Sequence, residues 1–162
     1  FRPSVVFGDG GEFVSFTKVL APPYVSALPG GGKTRFQPIW VGDLVPMLAD
    51  AVESDDHAGE TYEIGGPDKL TLAEIARLIH RSDGRSTTVV PVPMALAKLG
   101  LSVGDLIPGF PMGTDQYRSL QFDNVTDDND VGAFGVGTGE LTTLEAYLGG
   151  RTGGTADAAA TS

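Results

Sequence analysis

The chain has no cysteine, only two histidines and only four lysines among its 162 residues. Without cysteine there is no disulfide framework, no thiol nucleophile and no thiolate metal site. His57 and His80 stand far apart in the sequence, so a histidine-based zinc site is not expected and no metal is assigned. No apolar run approaches the ~18 residues of a membrane span, and no charged-then-apolar leader is present, so the expectation is a cytoplasmic chain. Basic residues are scarce as well: 11 Lys and Arg face 21 Asp and Glu, for a formal charge of −10. Such a chain is repelled by phosphate backbones, which excludes nucleic acid as the expected partner.

The acids divide into 14 Asp and 7 Glu. That bias toward short, strongly hydrated carboxylates reads as a surface adapted to high salt, where screening removes self-repulsion; an ordinary acidic surface is the other reading. At 41% apolar the chain has the composition of one globular domain, and a domain of this length buries roughly 70% of the surface its unfolded form exposes. The apolar, β-rich run FRPSVVFG begins at full strength at residue 1, so the chain is read as part of something longer. A missing neighbour would then leave an open sheet edge or apolar face.

The remaining pattern alternates between strand and helix. An amphipathic stretch from Glu12 to Leu20 ends at Pro22 and Pro23. FQPIWV reads as a strand, with Asp43 capping a helix over 44–52 and Pro46 in its first turn. TYEIGG reads as a strand, and Thr71 with Glu74 forms a capping box for a helix through His80. TTVVPVP is a further strand. Helices are expected over 94–106 and from Thr114 to Phe122, and Thr142 with Glu145 suggests a second capping box for a helix ending near Leu148. The order predicts an α/β fold with a largely parallel sheet. GGRTGGTADAAATS, from Gly149, reads as a disordered tail over 149–162.

Several motifs imitate nucleotide sites. ALPGGGKT, Ala27 to Thr34, nearly matches a phosphate-binding loop, but RFQPIWV after it is strand-like where a helix is required. Gly8-Asp-Gly10 and Gly135-Val-Gly137 both lack the third glycine of the dinucleotide fingerprint and read as turns. No Tyr has a Lys four residues on. His80, near a helix C-terminus, reads as a capping residue, and His57 as a solvated loop residue. Arg35 stands at a strand mouth beside a glycine-rich loop, from which a guanidinium could clamp an anion; it could equally balance nearby surface acids.

Taken in order, these segments resemble the C-terminal half of an extended or atypical short-chain dehydrogenase/reductase, the NAD-dependent epimerase/dehydratase family. FRPSVVFGDG is similar to the strand and loop that close over the nicotinamide end of the cofactor. TRFQPIWVGDLVPML is similar to the family's Arg, aromatic, Val and Asp segment, and TYEIGGPDKLTLAEIARLI to its strand, Gly-Gly turn and capped helix. With PMGTDQYRSLQFDNV (111–125), the set most resembles the branch holding the dehydrogenase-like accessory subunit of respiratory complex I. The resemblance implies a Rossmann-like fold, with residues 1–148 as its substrate-side portion and the dinucleotide-binding half absent. It implies that Pro3, Ser4 and Val5 contact cofactor, that Arg35 and Gln37 contact substrate, and that no catalytic residue lies here. NAD or NADP would be bound by the full-length parent and not by this chain alone. The implied partners are a small-molecule or nucleotide-linked substrate and either a respiratory complex or a second copy. Whether the parent is an oxidoreductase, an epimerase or a non-catalytic assembly subunit stays open.

Overall fold

A computed structural model describes residues 1–93 and 122–150; the helices expected over 94–106 and from Thr114, most of the 111–125 motif and residues 151–162 of the tail lie outside them. Along the chain run β1 (Arg2–Pro3), β2 (Val6–Phe7), α1 (Glu12–Leu20), β3 (Tyr24–Pro29), β4 (Arg35–Phe36), β5 (Ile39–Trp40), α2 (Val41–Glu53), β6 (Glu63–Ile64), β7 (Leu70–Thr71), α3 (Leu72–Ser82) and β8 (Thr87–Val92). Short 3₁₀ turns follow at Asp130–Phe134 and Thr138–Glu140, and residues 144–150 form α4. The fold is mixed α/β with parallel strand pairs, as the alternation predicts.

The described residues form two compact units. Unit 1 collects Phe1–Phe13, Gln37–Leu70 and the chain from Val125 onward. In it β1 pairs with β6, Arg2 beside Glu63 and Pro3 beside Ile64, and β2 pairs with β5, Val6 beside Ile39 and Phe7 beside Trp40. Their inward residues meet α2 in a core of Ile39, Leu44, Met47, Ile64, Val131 and Leu141, with Tyr62 and Phe134 packed against it. Leu44 and Met47, three residues apart, give α2 its core-facing side.

Unit 2 collects Val14–Phe36 and Thr71–Asn124. Its centre is the six-residue parallel pair of β3 and β8, from Tyr24 beside Thr87 to Pro29 beside Val92. Helix α3 buries Leu72, Ala73, Ile75, Ala76 and Ile79, the 3-4 spacing of one helical face. Polar residues are buried here too: Thr17, Ser26 and His80. The Ser26 hydroxyl donates to the Pro22 carbonyl at 2.8 Å and meets the Thr87 hydroxyl across the strand pair.

Several local expectations are met. Helix α1 has the expected ends, β8 covers most of TTVVPVP, and the capping box at Thr71 is complete: Glu74 N–H donates to Thr71 Oγ1 at 3.2 Å, and Thr71 N–H to Glu74 Oε2 at 2.8 Å. Others are corrected. FRPSVVFG is two short strands, because β1 and β2 pair with different partners. FQPIWV is split at Gln37-Pro38 for the same reason. Helix α2 starts at Val41 rather than 44, with Trp40 before it and no side-chain cap. Pro46 is therefore inside the helix, where its missing N–H deprives the Gly42 carbonyl of its usual partner. Asp43 does not cap α2; its carboxylate accepts Thr142 N–H at 2.6 Å. With Thr142 so engaged, Thr143 caps α4 instead, accepting Ala146 N–H at 3.0 Å. The strand β3 was hidden among Pro22, Pro23 and Pro29.

Candidate functional site

In unit 1 the C-terminal ends of β1 and β6 lie side by side, so Ser4 and the Gly65-Gly66 turn emerge together. In open α/β sheets this end of the strands is where ligands bind. Ser4 N–H donates to the Ile64 carbonyl at 2.8 Å, which continues the ladder past the strand. Gln37 N–H donates to Ser4 Oγ at 3.2 Å. The Gln37 side chain is 3% exposed. Its Nε2 donates to the Gly66 carbonyl at 2.9 Å, its Oε1 accepts Thr126 N–H at 3.1 Å, and its own carbonyl accepts Gly66 N–H at 3.0 Å. Gln37 therefore ties together three places: its backbone N–H holds the loop after β1, and its side-chain amide holds the turn after β6 and the residues that follow the 111–125 motif.

The turn must be glycine. A Cβ on Gly66 would overlap the Pro38 carbonyl oxygen, and one on Gly65 would overlap the Gln37 amide. Gly65 is also held by Asn129, whose Oδ1 accepts its N–H at 3.0 Å while Nδ2 donates to its carbonyl at 2.8 Å. A frame cross-tied in this way keeps the strand mouth in one shape.

Arg35 belongs to unit 2, and its side chain is about half exposed. Nε and Nη2 both donate to Asp123 Oδ2 at 2.8 Å, and Arg35 N–H donates to Oδ1 at 2.8 Å. Asn124 N–H returns a bond to the Arg35 carbonyl at 2.8 Å, so residues 123–124 run beside β4. The Arg35 N–H and then its guanidinium hold the Asp123 carboxyl below its ordinary value. Of the residues named from the sequence, the structure thus brings Ser4, with Pro3 and Val5 on either side, to Gln37. Arg35 is on the other unit with a carboxylate partner.

Gly8 to Gly11 form a turn, as expected, with Gly11 N–H donating to the Gly8 carbonyl at 3.2 Å; α1 follows it, but β2 and β3 on either side belong to different strand pairs. This is not the βαβ unit of a dinucleotide site. After the glycines of ALPGGGKT comes strand β4, as expected.

His57 departs from its expected surroundings, and His80 from its expected partner. His57 is not a solvated loop residue: its side chain is 11% exposed and stacks on Phe134 with centroids 4.8 Å apart. Its Nδ1 lies 2.7 Å from Tyr62 Oη and its Nε2 3.2 Å from Asp50 Oδ2, satisfied when Nε2–H donates to Asp50 and the phenol donates to Nδ1. Burial first, then the carboxylates of Glu60, Asp130 and Asp56, hold the Tyr62 phenol above its ordinary value, so it stays a donor. No local motif signals this Asp50–His57–Tyr62 chain, because its members come from α2, a turn and the segment before β6. His80 caps a helix, but not its own: it meets the Ala21 carbonyl just past the end of α1.

Among the described residues no helix is long and apolar enough to cross a membrane, and no group of three or more His, Asp or Glu could hold a metal. No protein-family model matches the chain. It is 29% identical over 139 residues to NADH dehydrogenase [ubiquinone] 1 alpha subcomplex subunit 9, mitochondrial, of Arabidopsis thaliana, covering 79% of this chain and 35% of that protein. To the Rattus norvegicus protein of the same name it is 31% identical over 57% of the chain and 25% of the relative. It is 33% identical to the chloroplastic divinyl chlorophyllide a 8-vinyl-reductase of Cucumis sativus, over 70% of the chain and 27% of that protein. The chain thus spans a quarter to about a third of the length of the curated relatives it matches. Among solved structures, a UDP-glucose 4-epimerase of Thermotoga maritima superposes with TM-score 0.49 at 16% identity, over 98% of this chain and 45% of that one.

Proposed function

We propose, from the premise that this chain is a relative of the extended and atypical short-chain dehydrogenase/reductases on the complex I accessory-subunit branch, that it forms the substrate-side portion of a longer NAD(P)-binding, epimerase/dehydratase-like protein. The observation that carries the reading is the frame on Gln37, which fixes the loop after β1 at the ligand-binding end of parallel strands. Within it Pro3, Ser4 and Val5 would line the nicotinamide end. The dinucleotide supplies the hydride when bound; the frame of unit 1 holds the shape of the strand mouth.

Gln37, which the resemblance makes a substrate contact, takes a supporting part here: its side-chain amide is committed to Gly66 and Thr126, and its backbone N–H holds Ser4 Oγ. Arg35 keeps the anion-facing part. Asp123 stands in for the anion until ligand arrives, which is the competition expected of a bidentate carboxylate. The glycine-rich pyrophosphate turn and the Tyr/Lys pair are not among these residues, so NAD or NADP would be held by the parent and not by this chain alone. The cytoplasmic expectation travels with this reading.

A second reading is favoured by the NADH dehydrogenase subunits among its relatives. In it the parent is a non-catalytic subunit that binds a nucleotide for stability and docks on a respiratory complex. One experiment separates the two. The full-length gene product is purified, nucleotide released by heat is identified chromatographically, and hydride exchange is followed between labelled NADH or NADPH and a panel of nucleotide-linked and small carbonyl compounds. Bound nucleotide with exchange supports the enzyme, bound nucleotide without exchange supports the assembly subunit, and no nucleotide defeats both. In the same protein Arg35→Ala is expected to weaken an anionic ligand by ~1.5–3 kcal/mol.

A further inference from the structure

Helix α2 has two apolar sides. Leu44 and Met47 are buried in the core of unit 1, while Val41, Val45, Leu48 and Val52 are 37%, 53%, 38% and 87% exposed. Their spacing of four, three and four residues places them on one stripe along the helix. A helix that only closes a core needs the first side; a second, solvent-facing apolar stripe marks an interaction surface.

The charge around the stripe says what kind of partner fits. From Phe36 to Asp68 the chain contains no Lys or Arg. The C-terminal end of the stripe runs into exposed Glu53, Asp55 and Asp56, and the last turn of α2 has no basic residue facing the negative end of the helix dipole. A second copy of the chain would bring further acids and no cation from its own α2.

We propose that this face of α2 docks a basic amphipathic helix, with aliphatic residues at alternating three- and four-residue spacing and Lys or Arg placed against Glu53, Asp55 and Asp56. The 4-3-4 stripe matches side-by-side helix packing at a crossing angle of about 20°. The proposal does not depend on nucleotide binding, since α2 is described within unit 1 alone.

The test titrates the chain, at about 0.15 M salt, into two labelled Leu/Lys peptides of equal composition, one with leucines on a single face and one with them scattered, read by fluorescence anisotropy. The one-faced peptide is expected to bind at least about tenfold tighter. The double variant Val45→Asp/Val52→Asp changes only exposed residues, so its far-UV spectrum should be unchanged. It adds two negative charges, yet the proposal expects affinity for the one-faced peptide to fall about tenfold. Glu53→Gln/Asp55→Asn/Asp56→Asn should weaken binding several-fold and flatten its salt dependence. Equal binding of the two peptides, or tighter binding by the Asp variant, would reveal unspecific attraction to an acidic chain and overturn the proposal. So would a dimer seen by light scattering that Val45→Asp abolishes, because the face would then belong to a second copy.

Discussion

Unit 1 buries the amide of Gln37 with both ends answered, by the Gly66 carbonyl and Thr126 N–H; unit 2 buries the imidazole of His80 with Nε2 on the Ala21 carbonyl and Nδ1 without a partner among the described residues. Both side chains are almost fully enclosed. The first joins three separate stretches of chain, whereas the second closes the end of one helix. A buried polar group that several segments depend on is costly to remove, because each abandoned partner remains in the interior without water. One that already carries an orphan atom is cheaper to replace, since an apolar substitute removes a penalty along with a bond.

The largest expected effect tests the frame itself. Gly66→Ala drives a methyl into the Pro38 carbonyl oxygen and should cost about 4 kcal/mol in urea unfolding, or prevent folding. Gly132→Ala meets nothing within 4 Å and should stay within about 0.5 kcal/mol, which guards against a general intolerance of unit 1. Next, Gln37→Leu strands Gly66 and Thr126 and should cost about 3 kcal/mol, whereas His80→Leu should cost about 1 kcal/mol. Equal losses for the two would break the contrast.

The smallest effect moves to the surface of unit 2, where Thr71→Ala should cost ~1 kcal/mol at neutral pH. The Thr71 N–H, then its hydroxyl, depresses the Glu74 carboxyl below its ordinary value. Glu74 therefore contributes stability that is present above the ordinary glutamate range and disappears as pH falls through the depressed value. The gap between wild type and Glu74→Gln, followed by thermal melts from pH 7 to pH 2, should close on that acid side and not on the alkaline side.

What could be read from the sequence was local. Helix α1 and the Thr71 box are each defined by residues within a few positions of one another, and β8 shows itself by the β-branched run Thr87-Thr88-Val89-Val90. Strand β3 carries no such mark: its bonds come from β8, and a proline-rich stretch does not reveal a distant partner. Asp43 looks like a cap by its position alone, until Thr142, 99 residues away, takes its carboxylate. The same holds at the site. Arg35 was conspicuous, but Asp123 lies 88 residues on, and whether Gln37 faces a ligand or the interior is decided by Gly66 and Thr126. The resemblance to a family filled part of that gap, because it places distant motifs in order, though it does not say which side chains are already spoken for.

Unit 1 is gathered from three stretches of chain with unit 2 threaded between them. A ribosome emits Ile39, Met47 and Ile64 long before Val131 and Leu141, which complete their core, and Thr126, which closes the Gln37 frame. Contacts this remote in sequence are slow to form and leave sticky surface uncovered meanwhile. The half-made chain is therefore a natural client for chaperones, and removal of residues after Asn124 would spare the local helices yet leave unit 1 without a finished interior.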